Sequence, residues 1–570
     1  MHRNIYKPAR LFARASKLAI FLFIVLIACG TIRVFPAAPQ PGTKFEIAFP
    51  ASAHKGPITG RVFLIISRND NKEPRFRAGW WGDTPPIFGV DVSQLKPEQA
   101  ATVDSSTLGY PAKSLRDIPS GDYYAQAVLN VYTQFHRADG HAIWAHMDQW
   151  EGQWFSRSPG NLYSRVLRVH LDPQAGYDIK LSLAKVIPPI QVPQDTAWVK
   201  RLKIQSKLLS HFWGRPIDLG ATVLLPKGYD EHPQAHYPVI YLQGHFSLRA
   251  PFGFEAPGSG EEESESGLGS KFYQTWNSAG FPRAIIVTFQ HPTPYFDDSY
   301  AVNSANDGPY GDAIMKELIP AVEERFRVIR QPYARLLTGG STGGWESLAL
   351  QLYHPAFFGG VWCFYPDPID FRNYGLVNIY TDNNAFRVPD RHWLVPERYI
   401  MRASDGQPEV TAREFSRLEV VLGSHGRSCQ QLEAWEAVYG PVGADGYPMP
   451  VWNKLTGQID RQVADYMREH GFDLRDYLSQ NWPRIGPELV GKLHFYVGDM
   501  DNYYLNLAVY RMQNFLENTR DPHYEGSFEY GRPMKGHGWS PMSNSQLLRA
   551  MAAFVKEHAP PGTDTAEWNY

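Results

Sequence analysis

From about Lys44 to Pro193, apolar residues come in short runs separated by Gly- and Pro-rich turns: Arg61 to Ser67, Tyr123 to Phe135, Tyr163 to His170 and Tyr177 to Val186. Runs of this length and composition read as strands, and no long stretch of helical period interrupts them. The expectation for residues 44–195 is an all-β, sandwich-like domain. Trp80, Trp81, Trp144, Trp150 and Trp154 within it are candidates for a sugar-stacking platform and, equally, for core or interface.

Near Ala197 the pattern changes. Val199 to Leu209 and Gly220 to Leu225 read as two opening strands, followed by the turn Pro226 to Tyr229. Alternation then begins: strand Pro238 to Gln243, helix Lys271 to Ser278, strand Ala284 to Phe289, helix Asp312 to Phe326, strand Arg335 to Thr338. Strands alternating with helices require a parallel sheet covered on both faces. After Trp362 the alternation lapses, and a long insertion of about 367–487 is expected, with helical segments near Arg413 to Leu422 and Asp460 to His470. The sheet resumes with Leu493 to Val497, a helix Tyr503 to Leu516, a strand Ser527 to Tyr530 and a last helix Asn544 to His558. The acidic stretch Glu261 to Glu265 between Gly-rich turns reads as a solvated loop. The fold class is α/β, residues 197–570, preceded by the all-β segment.

A chain of 570 residues exceeds one hydrophobic core. With 43% apolar and 20% charged residues it is globular, and a formal net charge of -2 without Lys/Arg runs in the body excludes the footprint of a nucleic-acid binder. Arg3, Lys7, Arg10, Arg14 and Lys17 precede an apolar run, Leu18 to Ala28, in the manner of an export signal over residues 1–29. Leu26-Ile27-Ala28-Cys29 resembles a lipobox, which would lipidate Cys29 and attach the protein to a membrane; an ordinary signal peptide, or an uncleaved anchor, is the alternative. All of these place the body outside the cytoplasm, in the periplasm or at the cell surface. Cys363 and Cys429 read as unpaired thiols, and no Cys/His spacing suggests zinc.

The chemistry centres on Gly339-Gly340-Ser341-Thr342-Gly343-Gly344, which joins a strand to an apolar helix. It matches the Gly-x-Ser-x-Gly elbow, in which small neighbours let a serine occupy a strained turn and the helix start sets an amide, that of Thr342, beside the reacting oxygen. In such a fold an acid and then a histidine follow the serine. His537, in the Gly-flanked loop between the last strand and last helix, suits the base. The acid falls in Gly498-Asp499-Met500-Asp501-Asn502, where reach over the strand end favours Asp501 over Asp499. An Asp-x-Asp pair alone is a weak metal site, so no metal and no organic cofactor are implied. The second oxyanion amide is expected at His245 or Phe246, after the strand Val239 to Gln243, with His245 a lesser candidate for the base.

The segments Leu224 to Tyr229, Tyr237 to Phe246, Gly308 to Arg327, Thr338 to Phe358, Gly498 to Leu505 and Gly536 to Trp539 resemble the putative-esterase family, which includes enterochelin esterases, S-formylglutathione hydrolases, feruloyl and acetylxylan esterases and mycolyltransferases. The resemblance implies an α/β-hydrolase fold with a Ser, acid, His triad. Its members often show Gly-x-x-Asp at Gly498 to Asp501, which again points to Asp501. The expected activity is hydrolysis of a carboxylic ester, of an acylated glycan, a siderophore or another small molecule. An acyltransferase using the same triad, or a cell-surface binding lipoprotein without activity, are the rival readings. The insertion is expected to cap the site, with Tyr374, Tyr380 and Trp435 shaping substrate choice.

Overall fold

The computed structural model describes residues 42–79, 84–257, 268–388, 396–565 and 568. The signal-like segment with Cys29, Trp80 and Trp81, and the stretch Glu261 to Glu265 lie outside them. Residues from Gly42 onward form one compact unit. Among the described residues no helix is long and apolar enough to cross a membrane.

Residues 43–186 carry two larger sheets and a two-stranded one, Thr133–His136 with Ala142–Ala145. Thr43–Ala48 pairs with Tyr177–Ser182 and Ala101–Asp104 in one of the larger two, while Ile58–Ser67, Ile87–Leu95 and Gly121–Val131 centre the other. Alternate residues, among them Phe45, Ile47, Val62, Leu64, Ile66, Ala125 and Leu129, fill the space between them. The other face of the larger sheet is also covered: Phe63, Ile65 and Val128 pack against Leu418, Val421 and Leu422 of the helix Ala412–Leu422. Burial on both sides explains why residues 62–66 of Ile58–Ser67 read as an unbroken apolar run rather than an alternating one.

The second part is built on eight strands: β1 (Val199–Ser206), β2 (Ile217–Leu224), β3 (Val239–Gln243), β4 (Ile285–Gln290), β5 (Arg335–Gly340), β6 (Gly360–Phe364), β7 (Leu493–Gly498) and β8 (Ser527–Gly531). Their order is β1-β2-β4-β3-β5-β6-β7-β8. The first pairings are antiparallel and those from β4 to β8 parallel. The parallel strands β3 to β7 split their side chains between two cores. Val239, Tyr241, Leu337, Val361 and Cys363 face one. Ile240, Leu336, Trp362 and Phe364 face the other, with Leu547, Met551 and Val555 of the last helix, Asn544–His558. Each such apolar side chain contributes about 1.5–3 kcal/mol on burial.

Two elements differ from the sequence expectation. The apolar stretch Val199 to Leu209 divides at Ser206, whose side chain accepts from the Leu209 N–H and caps a helix, Lys207–Trp213, closed by Gly214 at φ +65°. Strand β6, which completes the parallel run, went unread because it is buried throughout and shows no period. Between β6 and β7 the chain adds a hairpin, Tyr399–Arg402 with Pro408–Thr411, and the helices Ala412–Leu422, Gln431–Tyr439, Arg461–Glu469 and Leu474–Ile485. Both cysteines of this part are free.

Candidate active site

At the carboxyl end of β5 the chain turns at once into the helix Thr342–Tyr353, with Ser341 between them at φ +58°, ψ −123°. That region costs a non-glycine residue about 1–3 kcal/mol, and it persists because its surroundings fix it. A Cβ on Gly339 would lie 2.3 Å from the Gly343 carbonyl oxygen, and one on Gly343 would lie 2.1 Å from that of Gln243. Glycine is therefore the residue that lets β3, β5 and the helix meet. The Ser341 N–H donates to Phe364 O (3.1 Å), tying the turn to the end of β6.

Beyond β7, Asp501 is fully buried (0% side-chain exposure) and its Oδ2 lies 2.8 Å from His537 Nδ1. A carboxylate only accepts, so Nδ1 carries the proton and Nε2 is left as an acceptor. Asp501 Oδ1 receives the N–H groups of Tyr503 (2.9 Å) and Leu505 (3.3 Å), which fix the carboxylate. The His537 ring, 21% exposed, rests against Tyr365 and Tyr503, and its backbone N–H donates to Asn502 Oδ1 (2.7 Å). Asp499 points elsewhere, its Oδ1 accepting from Lys535 N at 3.2 Å.

Ser341 and His537 line one cavity of about 210 Å³, whose walls include Tyr374, Ile400, Phe415, Leu432 and Trp435 from the segment between β6 and β7. Tyr380 is not among its lining residues. Its hydroxyl donates to Asp473 Oδ2 (2.9 Å) and Arg468 lies over its ring, so it braces the segment instead of shaping the cavity. The expectation that grouped Tyr380 with Tyr374 and Trp435 is corrected: proximity in sequence did not predict which face of the loop turns inward.

The loop after β3 brings His245 to the cavity rim and Phe246 against Trp150. Among the described residues the amides of Thr342, His245 and Phe246 donate no hydrogen bond within the protein, which leaves them available to a ligand oxygen. The His245 ring, 49% exposed, contacts Asp297 (3.0 Å) and Asp298 (3.3 Å) through Nδ1. Burial opposes its charge, but the Asp297 and Asp298 carboxylates outweigh this and raise its pKa well above the ordinary value. These three residues bring one ligand atom each within 4.8 Å of one another, a donor set for a divalent cation. The imidazolium pairing already balances part of that charge.

The structure adds a cluster that motif reading missed. Asp367, 3% exposed, follows β6, and its N–H donates to Ser341 O (3.2 Å). Its Oδ2 accepts from Tyr300 OH (2.7 Å), Thr342 Oγ1 (3.0 Å), Gln431 Nε2 (3.0 Å) and Trp435 Nε1 (3.3 Å). Its Oδ1 accepts from Ser341 Oγ at 3.4 Å. In this arrangement the serine hydroxyl is directed at Asp367, and no Ser341–His537 hydrogen bond is formed among the described residues. Burial raises the Asp367 pKa, and the Tyr300 and Thr342 hydroxyls oppose that rise. Tyr300 is held at φ +56°, an uncommon region for a bulky residue. Tyr365-Pro366-Asp367-Pro368, after an apolar run, was the one signal in the sequence.

The strand order, the strained serine between strand and helix, and the carboxylate–imidazole pair beyond β7 and β8 define an α/β-hydrolase. Residues 215–398 match the family model described as Putative esterase. That segment, about a third of the chain, contains Ser341, Thr342, His245 and Phe246 and is what the chain shares with the putative esterases. The match ends before Asp501 and His537. Similar solved structures include a ferulic acid esterase (16% identity, 63% of this chain and 98% of that chain, TM-score 0.32). The Staphylococcus aureus fluorophosphonate-binding serine hydrolase F is another (14%, 63% and 98%, TM-score 0.29), as is an S-formylglutathione hydrolase from Agrobacterium tumefaciens (12%, 64% and 96%, TM-score 0.31). At those scores the likenesses add no weight to the strand order. No curated protein matches the chain.

Proposed function

We propose that this protein is an exported esterase in which Ser341 is the nucleophile, His537 the general base and Asp501 the orienting acid. The observation that carries the reading is the 2.8 Å Asp501–His537 pair on the same cavity as the strained Ser341. His537 Nε2 takes the proton of Ser341 Oγ as the oxygen attacks the ester carbonyl. The amides of Thr342 and of His245 or Phe246 receive the oxyanion. The imidazolium then protonates the leaving alkoxide, and water, deprotonated by the same histidine, releases the acid. The serine must first turn from Asp367 toward His537, a rotation about one side-chain bond.

The walls of Tyr374, Phe415, Leu432 and Trp435 suit an apolar acyl group, with the segment between β6 and β7 serving as a cap. Export is supported by the basic residues Arg3 to Lys17 ahead of Leu18 to Ala28, and Cys29 is the candidate for lipid attachment. The test is labelling with a fluorophosphonate: wild-type protein reacts at Ser341, and Ser341→Ala neither labels nor retains more than about one part in 10³ of aryl-ester turnover. Labelling that survives in Ser341→Ala refutes the assignment.

A further inference from the structure

The mechanism above uses one carboxylate, and a second, Asp367, touches the nucleophile without a part in it. Its two oxygens are unequally provided for. Oδ2 lies within 3.3 Å of four donor groups, on Tyr300, Thr342, Gln431 and Trp435, of which Trp435 Nε1 is shared with Tyr300 OH at the shorter distance of 2.6 Å. Among the described residues Oδ1 receives only the Ser341 hydroxyl, at the long distance of 3.4 Å. A carboxylate oxygen can accept two hydrogen bonds, so Oδ1 has spare capacity. Asp367, Ser341, Gln431 and Trp435 all line the same cavity.

Acylation makes the imbalance worse. When Ser341 Oγ gives up its proton and becomes an ester oxygen, Oδ1 loses its one donor and is left as a buried, unsatisfied carboxylate oxygen. Among the described residues no other donor contacts Oδ1, so the replacement must come from the acyl group or from water in the cavity. Ser341 Oγ lies 3.4 Å from Oδ1 before the serine turns, and Asp367 lines the cavity that receives the acyl group, so the substituents on the carbon next to the carbonyl are the first acyl atoms that can reach Oδ1.

We propose that Asp367 Oδ1 is a subsite for a hydroxyl or amino donor on the α-carbon of the acyl group, so that the preferred substrates are esters of α-hydroxy or α-amino acids. The proposal rests on the esterase reading above. The four donors on Oδ2 hold the carboxylate in place, so that Oδ1 is presented in a fixed direction. The aromatic walls receive the remainder of the acyl group. An acyl group with a carboxylate at that carbon is disfavoured by the like charge.

The test compares kcat/KM for aryl esters of mandelic and phenylacetic acid, which differ by one α-hydroxyl. Wild-type protein is expected to favour the mandelate ester by at least ~10-fold, the scale of a hydrogen bond to a charged acceptor. In Asp367→Asn the amide oxygen must take the place of Oδ2 to keep the four donors, which turns the NH₂ toward the cavity. The ratio should then fall to near one or reverse, whatever the absolute rates. A role limited to holding the fold would lower both rates and leave the ratio unmoved. A wild-type ratio near one, with both esters turned over, overturns the subsite and leaves the esterase reading standing. Absence of turnover of either ester together with absence of Ser341 labelling overturns both. The wild-type ratio decides the matter even if the variant fails to fold.

Discussion

Replacing Asp501 by Asn separates orientation from charge at the proposed triad. Asp501 Oδ1 accepts the N–H groups of Tyr503 and Leu505 at 2.9 and 3.3 Å, and only an oxygen can do so. In Asp501→Asn the new amide therefore keeps its oxygen there and presents its NH₂ to His537 Nδ1, in place of the acceptor that now lies at 2.8 Å. Facing a donor, Nδ1 must become the acceptor, and the proton moves to Nε2, the atom that should receive the Ser341 proton. The base is then in the wrong tautomer while the fold is intact. The expected loss in turnover is up to about 10⁴-fold, or roughly 5 kcal/mol at 1.36 kcal/mol per decade. Asp499→Asn changes a side chain that accepts from Lys535 N at 3.2 Å, a role an amide oxygen can also fill, so less than about tenfold is expected. Steady-state hydrolysis of a short-chain aryl ester, with thermal melts to show equal folding, measures both. If Asp501→Asn stays within tenfold of the parent, or Asp499→Asn is the more damaging, the tautomer argument is wrong.

Lys454 is buried between Glu419 and Glu436, each 3.0 Å from its Nζ, and Glu419 also accepts the N–H groups of Leu432 and Glu433 at the start of the helix that carries Gln431 and Trp435. Lys454→Met leaves these carboxylates without a cation and should cost about 3–5 kcal/mol in urea denaturation. Burial holds Glu436 up at about 7, above the ordinary carboxyl range, so its contribution to stability is complete below the unfolded pKa and is lost as pH rises through 7. The deficit of Lys454→Met should accordingly be larger at pH 8.5 than at about pH 5.5, and an equal deficit at both would refute the pairing. Tyr374→Ala and Trp435→Ala should alter the ranking of esters by acyl size, since both rings line the cavity. Tyr380→Phe, which removes only the hydroxyl bonded to Asp473, should lower the melting temperature and leave that ranking unchanged.

The local sequence determined whatever depends on near neighbours. Gly339 to Gly344 specify the elbow because the contacts that demand glycine come from residues adjoining the turn and from the strand beside it. The alternation of strands and helices from Val239 to Gly340 determined a parallel sheet, and the last helix, Asn544–His558, has the bounds read for it, its start fixed in the structure by a Ser543 capping box. Where burial erased periodicity, sequence was silent: β6 and residues 62–66 are apolar on both faces and say nothing of what covers them. Tertiary structure alone decided that the outer face of the larger β-sheet lies under the helix Ala412–Leu422. The reach over the strand end already favoured Asp501 over Asp499, and the path of that short turn in space sets Asp501 against His537 and turns Asp499 to Lys535. Tertiary structure alone brought Tyr300, Asp367, Gln431 and Trp435 to Ser341. With Ser341 they lie on four separate stretches of chain, Gln431 and Trp435 sharing one helix, and no local pattern encodes a meeting that is set by how the segment after β6 packs back over the sheet.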